Sequence, residues 1–320
     1  MDTLTPTFEF EPYTPAFARA WDTFMASSRN GTFLLERTYM DYHADRFRDA
    51  SLIALRRGKP AALLPACRMP GDILSSHAGL TYGGWVLPSA HLDGAALLTL
   101  FADWTQWCRQ AGYRAIDYKP VPYIYHARPS QEDLYALWRL GFTPSAVNLS
   151  SAIDLSGPWK FDMSKRQQLR KAQACDLSIA ESRDWDSFWH ILGTCLADRH
   201  GAAPVHSLDE IQTLAASFPE NIRLFLLSDP QGPQAGVCIY DTGVVAHSQY
   251  AATTPEARER HYLTALYHHL LTEVFPSRRY FDFGTSNEQG GRVLNAGLLG
   301  QKHSMGATGV AYTRYTLNLN

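Results

Sequence analysis

Apolar positions in the last quarter of the chain change period in a regular way. Residues 244–252 form a short apolar, β-prone run, as a buried strand requires. Apolar residues then recur at 263, 266, 267, 270, 271 and 274, the spacing of a helix that buries one face. Pro276 lies just beyond, where such a helix stops. Residues 280–283 read as a second short strand, and Leu294, Leu298 and Leu299 mark a further helix with Gly306 as its closing turn. Strand, loop, helix and neighbouring strand make a crossover unit. Ligands of such sheets sit at the loops past the strand ends, beside helix N-termini. Tyr250, Arg260, Asn287, Arg292 and Lys302 fall on or near those loops, so this stretch is a candidate site as well as a core.

The earlier chain repeats the scheme. Its first half predicts a strand at 8–10, helices at 17–25 and 39–47, and strands at 50–55 and 61–68 around a hairpin turn at Arg56–Lys59. An extended stretch at 75–86 follows, containing Tyr82-Gly83-Gly84. Then come a helix with Leu97, Phe101, Trp104 and Cys108 on one side, a strand at 113–119, a helix at 134–140 and a closing strand at 147–155. Ser156-Gly157-Pro158 reads as a linker. Beyond it stand a basic helix at 163–174, a strand at 177–181, helices at 184–200 and 208–218, and strands at 222–228 and 236–240. Asp117 precedes Gly141 by 24 positions, and Asp282 precedes Gly306 by 24. Gly141 to Leu155 is 14, and Gly306 to Asn320 is 14. The pattern predicts an α/β chain with mixed sheets, duplicated internally as units 1–155 and 156–320.

At 320 residues there is room for two cores, and 45% hydrophobic with 19% charged residues excludes wholesale disorder. A formal net charge of −2 supplies no global basic field for DNA, so any anionic ligand must meet a local patch. The five cysteines (67, 108, 175, 195 and 238) are scattered without a CxxC pair, which argues for reduced thiols in a cytoplasmic protein. His247 and His261 lack the spacing to a third ligand that a metal site needs. The N-terminus does not read as a signal peptide, and no apolar run is long enough for a membrane span.

Two segments carry a resemblance. SKRQQLRKA, residues 164–172, is similar to the Arg-rich segment that opens the second unit of the Fem family of peptidyl and aminoacyl transferases. GLLGQKHSMGA, residues 297–307, is similar to that family's closing segment, in which a Lys precedes an aromatic-Gly turn; here the Lys is Lys302, and Met305 replaces the aromatic. With the order of elements, nearly the whole chain resembles two GNAT acyltransferase units in tandem, as in Fem and related double-GNAT bacterial proteins. Two features depart from the pattern. The long helical-hairpin insertion of some tRNA-using Fem proteins is missing. The loop that holds an acyl-CoA pyrophosphate, Arg/Gln-x-x-Gly-x-Gly/Ala, is matched best by residues 260–265, with Leu263 where a Gly lets backbone amides approach phosphate.

The resemblance implies an acyl- or aminoacyltransferase that forms an amide on an amine acceptor, small or peptide-like, such as a cell-envelope or peptidoglycan precursor. Its donor would be acyl-CoA or aminoacyl-tRNA, a substrate rather than a tightly bound cofactor, with Arg260 and Thr264 on the donor loop. The alternative is a GNAT-derived binding protein without catalysis, which Leu263 favours. Lys302 would stabilise an oxyanion; otherwise it is a surface lysine at a helix C-terminus. Asp282 would take a proton from the attacking amine, or it is a structural acid paired with an Arg, since Asp117 repeats it. Arg166 and Arg170 share a helix face that would grip phosphate or carboxylate, or they are simply solvated. Tyr82 and Lys119 would line the acceptor crevice of the first unit, or Gly83-Gly84 is a bulge.

Overall fold

The computed structural model describes residues 7–89, 92–200 and 203–319, with the side chains of 198–200 excepted. The chain divides into two compact units: residues 1–148 with 290–292 and 311–320, and residues 149–289 with 293–310. From the start run β1 (Glu9–Pro12), α1 (Ala18–Ala26), α2 (Arg37–Met40), β2 (Arg48–Asp49), β3 (Leu52–Arg56), β4 (Lys59–Leu64), β5 (Cys67–Met69), β6 (Ile73–Ser75), α3 (Gly94–Gln110), β7 (Ala115–Tyr118), α4 (Glu132–Arg139) and β8 (Thr143–Asp154). The remainder holds α5 (Met163–Gln173), β9 (Ser178–Ser182), α6 (Trp185–His200), α7 (Leu208–Ser217), β10 (Ile222–Asp229), β11 (Gly232–Asp241), β12 (Val245–Thr253), α8 (Pro255–Glu259), α9 (Tyr262–His269), β13 (Tyr280–Thr285), β14 (Asn287–Glu288), β15 (Val293–Leu294), α10 (Ala296–Ser304) and β16 (Thr308–Asn318).

Side-chain caps fix several helix starts. Asp93 accepts from the Ala96 amide at 2.8 Å, Asp162 from that of Lys165 at 2.7 Å, and Thr254 from that of Ala257 at 3.1 Å. Ser207 and Glu210 form a reciprocal capping box on α7. In unit 1, α3 buries Leu97, Leu100, Phe101, Trp104 and Cys108 against a core that includes Trp85, Tyr118 and Leu137. Unit 2 packs Tyr262, Leu266 and Leu270 onto Phe225, Val237 and Phe281.

The two units share one plan, a tandem pair of GNAT-like folds. In unit 1, β6 runs parallel to β7 and pairs with it over three residues, ending at Ser75↔Asp117. In unit 2, β12 runs parallel to β13 over three residues, ending at His247↔Asp282. On the other side of each aspartate lies an antiparallel strand, β16 with Thr316↔Asp117 and β8 with Ala152↔Asp282. The helix ends agree as well: the Phe142 amide returns to the Leu137 carbonyl and the Ala307 amide to that of Lys302, each across a glycine with positive φ, Gly141 and Gly306. Position 302 is therefore the counterpart of 137.

The structure differs from the expected plan in its details. The first unit ends at 148 rather than 155, and residues 311–320 belong to it rather than to the second. The cause is pairing: the strand beside β7 comes from the C-terminus, and the strand beside β13 comes from the end of β8. The strand expected at 61–68 is two, β4 and β5, which join different sheets with Pro65 between them. The aromatic helix expected at 39–47 stops at Met40, with one 3-10 turn to His43, because residues 44–46 are exposed and offer no face to bury. The helix expected around 263–274 is divided into α9 and a π-helical turn at Leu270–Val274.

Candidate functional site

In unit 2, β12 and β13 part after their third pair, and local sequence explains why. On β12 the register slips between Ser248 and Tyr250, so Gln249 bulges. On β13 the register against β8 slips between Asp282 and Thr285. Gly284 makes that bend: its φ is +76°, and a Cβ there would meet the His247 ring at 3.4 Å. Its amide donates to Asp282 Oδ1 at 3.0 Å.

Asp282 is fully enclosed, with no exposed surface. Ser150 Oγ donates to Oδ1 at 2.7 Å, and His247 Nδ1 lies 2.8 Å from Oδ2. The partner is thus a histidine, not the arginine that a structural acid was expected to have. In unit 1 that arginine exists. Arg314 holds both oxygens of Asp117, its Nη2 at 2.6 Å, while Ser75 Oγ donates to the carboxylate at 2.8 Å. Ser75 holds the strand position of His247, and Arg314 that of Ser150.

Lys302 is no surface lysine. It sits in the last turn of α10 and is 6% exposed, in the position where unit 1 has the fully buried Leu137. Its Nζ donates to the carbonyls of Gly284 and Thr285, 2.8 Å each. Both carbonyls lie where the register of β13 against β8 slips. Burial draws the Lys302 pKa down to about 8, against the opposing pull of Asp282. The site therefore joins a bend in β13, a buried acid with its histidine, and a lysine in a core position.

The other candidates lie as follows. Tyr250, on β12, is half-buried; its hydroxyl is 2.6 Å from His206 Nδ1, and its ring meets Trp189 edge-on. Thr264 is buried in the first turn of α9 and donates to Gln168 Oε1 at 3.3 Å. Arg260 is exposed, with Nη1 3.4 Å from the Tyr262 hydroxyl. Leu263 packs against the unit 2 core. His261, between α8 and α9, has φ +61°, and its pKa is lowered by burial and then by Lys171 and Lys165. Cations thus gather around the first turn of α9. Arg166 and Arg170 are exposed on α5, Arg166 Nε reaching the Asp162 carbonyl at 3.3 Å. Asn287 uses its carbonyl oxygen to hold the Leu149 amide. Arg292 is exposed.

In unit 1, Tyr82 is 3% exposed and donates to Thr32 Oγ1 at 3.1 Å. Gly83 and Gly84 are there for contact: added Cβ atoms would lie 2.2 Å from the Ser76 carbonyl oxygen and 2.6 Å from the Tyr118 hydroxyl. Lys119 is half-buried, donates to the Leu80 carbonyl, and has its pKa drawn down to about 8 by desolvation of its amine. His247 is the residue that the sequence reading did not single out for proton transfer. Its only signal was a histidine within an apolar strand, and unit 1 offered no matching histidine.

Among the described residues, no group of three or more His, Cys, Asp or Glu could hold a metal, and no helix is long and apolar enough to cross a membrane. Comparison with known proteins agrees with the plan of the fold. Residues 162–289 match the acetyltransferase (GNAT) domain. The chain resembles tandem GNAT, Fem-like proteins over nearly its whole length. FemX is 12% identical, with 98% of each chain covered and a TM-score of 0.70. L-PGS from Bacillus licheniformis is 11% identical, with 96% of this chain and 92% of that one covered and a TM-score of 0.60. A tandem GNAT protein from the clavulanic acid biosynthesis pathway is 11% identical, with 98% and 99% covered and a TM-score of 0.51. No match was found among curated proteins. At these identities the likeness is one of fold.

Proposed function

We propose that this chain transfers an acyl or aminoacyl group from an activated ester or thioester to an amine, forming an amide in the crevice of unit 2. One observation carries the reading: a lysine, nearly enclosed, occupies a leucine position at the bend in β13. An ammonium has three donors, and two of Lys302's are used on carbonyls. The third is left for the oxygen that becomes an oxyanion when the amine attacks. A fixed cation in so dry a place can lower the barrier by about 3 kcal/mol.

The acceptor that fits the Fem-like fold is an amine on a small or peptide-like cell-envelope precursor, met in the cytoplasm. Tyr250, Asn287, Arg292, Tyr82 and Lys119 remain candidates for contact with it. Acyl-CoA and aminoacyl-tRNA both carry phosphate, and the cations near α9, Lys165, Lys171 and Arg260, with Arg166 and Arg170 on α5, suit either donor. A second reading, a binding protein without turnover, draws support from Leu263, which packs against the unit 2 core at the position where the resembled loop has a glycine. The two separate in one experiment. Protein purified from its own host is examined by native mass spectrometry for retained ligand, then incubated with labelled acyl-CoAs and charged tRNAs together with amine acceptors. Label appearing in an amide product supports transfer. A retained ligand that never turns over with any pair supports binding alone.

A further inference from the structure

Asp282 cannot itself take the proton of an incoming amine. It is fully enclosed, and its oxygens are engaged by Ser150, the Gly284 amide and His247. His247 is placed differently. Its Nδ1 faces the buried carboxylate at 2.8 Å, which assigns the ring proton to Nδ1 and leaves the Nε2 lone pair free. No described residue bonds to that nitrogen, and the side chain keeps 15% of its surface open. It stands at the last paired position of β12, where the two parallel strands part. We infer that His247, held in tautomer and orientation by Asp282, is the general base of unit 2, an assignment that rests on the acyl-transfer reading above.

Unit 1 serves as an internal control. At the strand position of His247 it has Ser75, and Arg314 occupies its aspartate from the other side. A serine beside an acid neutralised by arginine has no lone pair basic enough to accept a proton at neutral pH. Unit 2 keeps the acid, replaces the arginine by Ser150 and puts an imidazole on the open side. The lysine at 302 against Leu137 is a second such difference. Both changes fall on one bend of one strand, Gly284 lying next to the His247 ring and under the Lys302 amine.

The proton path then closes. The amine nitrogen attacks the acyl carbon, the N–C bond forms, and the carbonyl electrons move to the oxygen facing Lys302. His247 Nε2 removes the proton from the nitrogen, and Asp282 stabilises the imidazolium. The oxyanion reforms the carbonyl as the bond to the donor's oxygen or sulfur breaks, and the leaving group takes the proton from Nε2. The products are an amide and a free alcohol or thiol, and the imidazole is neutral again.

The test uses the full-length protein with a donor and acceptor that the wild type couples, comparing His247→Gln, Asp282→Asn and Lys302→Met. Loss of His247 should lower kcat roughly 100-fold or more with little change in acceptor KM. Lys302→Met should lower kcat as well while leaving the His247 tautomer unchanged. Nitrogen NMR of the resting protein adds a readout independent of turnover: His247 should carry its proton on Nδ1, and Asp282→Asn should disturb that tautomer. Wild-type rates in His247→Gln, or an Nε2-protonated ring in the wild type, would overturn the base assignment while leaving acyl transfer standing. A wild type that couples no donor to any amine overturns the transfer reading, and the base role with it.

Discussion

Lysine in place of leucine is a costly choice for a helix position that faces a core. Position 302 tolerates it because the carbonyls of Gly284 and Thr285 receive the amine. Lys302→Met keeps the stem and removes the charge, so the lost hydrogen bonds and the relieved burial nearly cancel. We expect a change in stability within about 1 kcal/mol, read by thermal melting. Turnover should fall roughly 100-fold, with acceptor binding far less affected, since the contact strengthens only as the oxyanion forms. The titration has a definite sign. With its pKa drawn down to about 8, Lys302 is charged below that pH and neutral above it. The rate should therefore decline as pH rises through that value, and this alkaline limb should be absent in Lys302→Arg, which keeps its charge. Stability moves the other way: the penalty for burying the charge is present below about 8 and is lifted between there and the ordinary lysine value. A rate that keeps rising through the alkaline limb would remove Lys302 from the chemistry. Much of this was legible in the residues themselves. The closing motif marked Lys302, and the repeated aspartate marked Asp282. What they bond to was not legible, because the partners come from other strands whose register only pairing decides, as His247 and Ser150 show.

At the scale of elements, the proposed function rests on the bend in β13 and the first turn of α9. Gly284 sits at φ +76°, where a side chain is strained, and close against His247. Gly284→Ala should cost about 1–2 kcal/mol by melting and should also slow transfer, because the carbonyls that seat Lys302 would move. If stability fell and the rate did not, the bend would be structural alone. The α9 turn bears on the donor. Leu263, half-buried, packs against the core, and Thr264 is tied to Gln168, so this turn is built for packing. A phosphate there would lack the close amide approach that glycine allows. Acetyl-CoA should accordingly bind with Kd above roughly 1 mM; calorimetry finding micromolar affinity would place the protein with ordinary acyl-CoA enzymes. Most elements were visible as periodicity, with α7, β10, β12 and β13 close to their expected spans and β11 starting four residues before its own. The short ones were not. A 3-10 turn, a two-residue strand and a π-helical turn carry too few residues to set a period, and contacts made far along the chain fix them.

For the whole molecule the duplication was readable and the division was not. Equal spacings from Asp117 and Asp282 follow from the shared plan, since strand, helix and glycine turn recur at the same distances. Chain order nonetheless assigned each closing strand to the unit it follows, and the pairing assigns it elsewhere. Residues 315–318 lie beside 118–115 in unit 1, Leu319 is buried in its core, and Arg314 neutralises an aspartate that is 4% exposed. A chain ended after residue 310 would therefore leave β7 with an open edge and Asp117 with an uncompensated charge. Losing the arginine alone should cost about 1–3 kcal/mol, less than a fully buried pair because Arg314 is half in water. Losing the strand should remove the unit. Hydrogen exchange on the truncated chain should show lost protection at Ile116 and Tyr118, while amides of β10 to β12, all within 149–310, stay protected. Arg314→Ala, by contrast, should weaken protection in unit 1 without abolishing it. Full protection of Ile116 in the truncated chain would mean that unit 1 closes its sheet without the C-terminal strand, and the division of the chain at residue 148 would have to be redrawn.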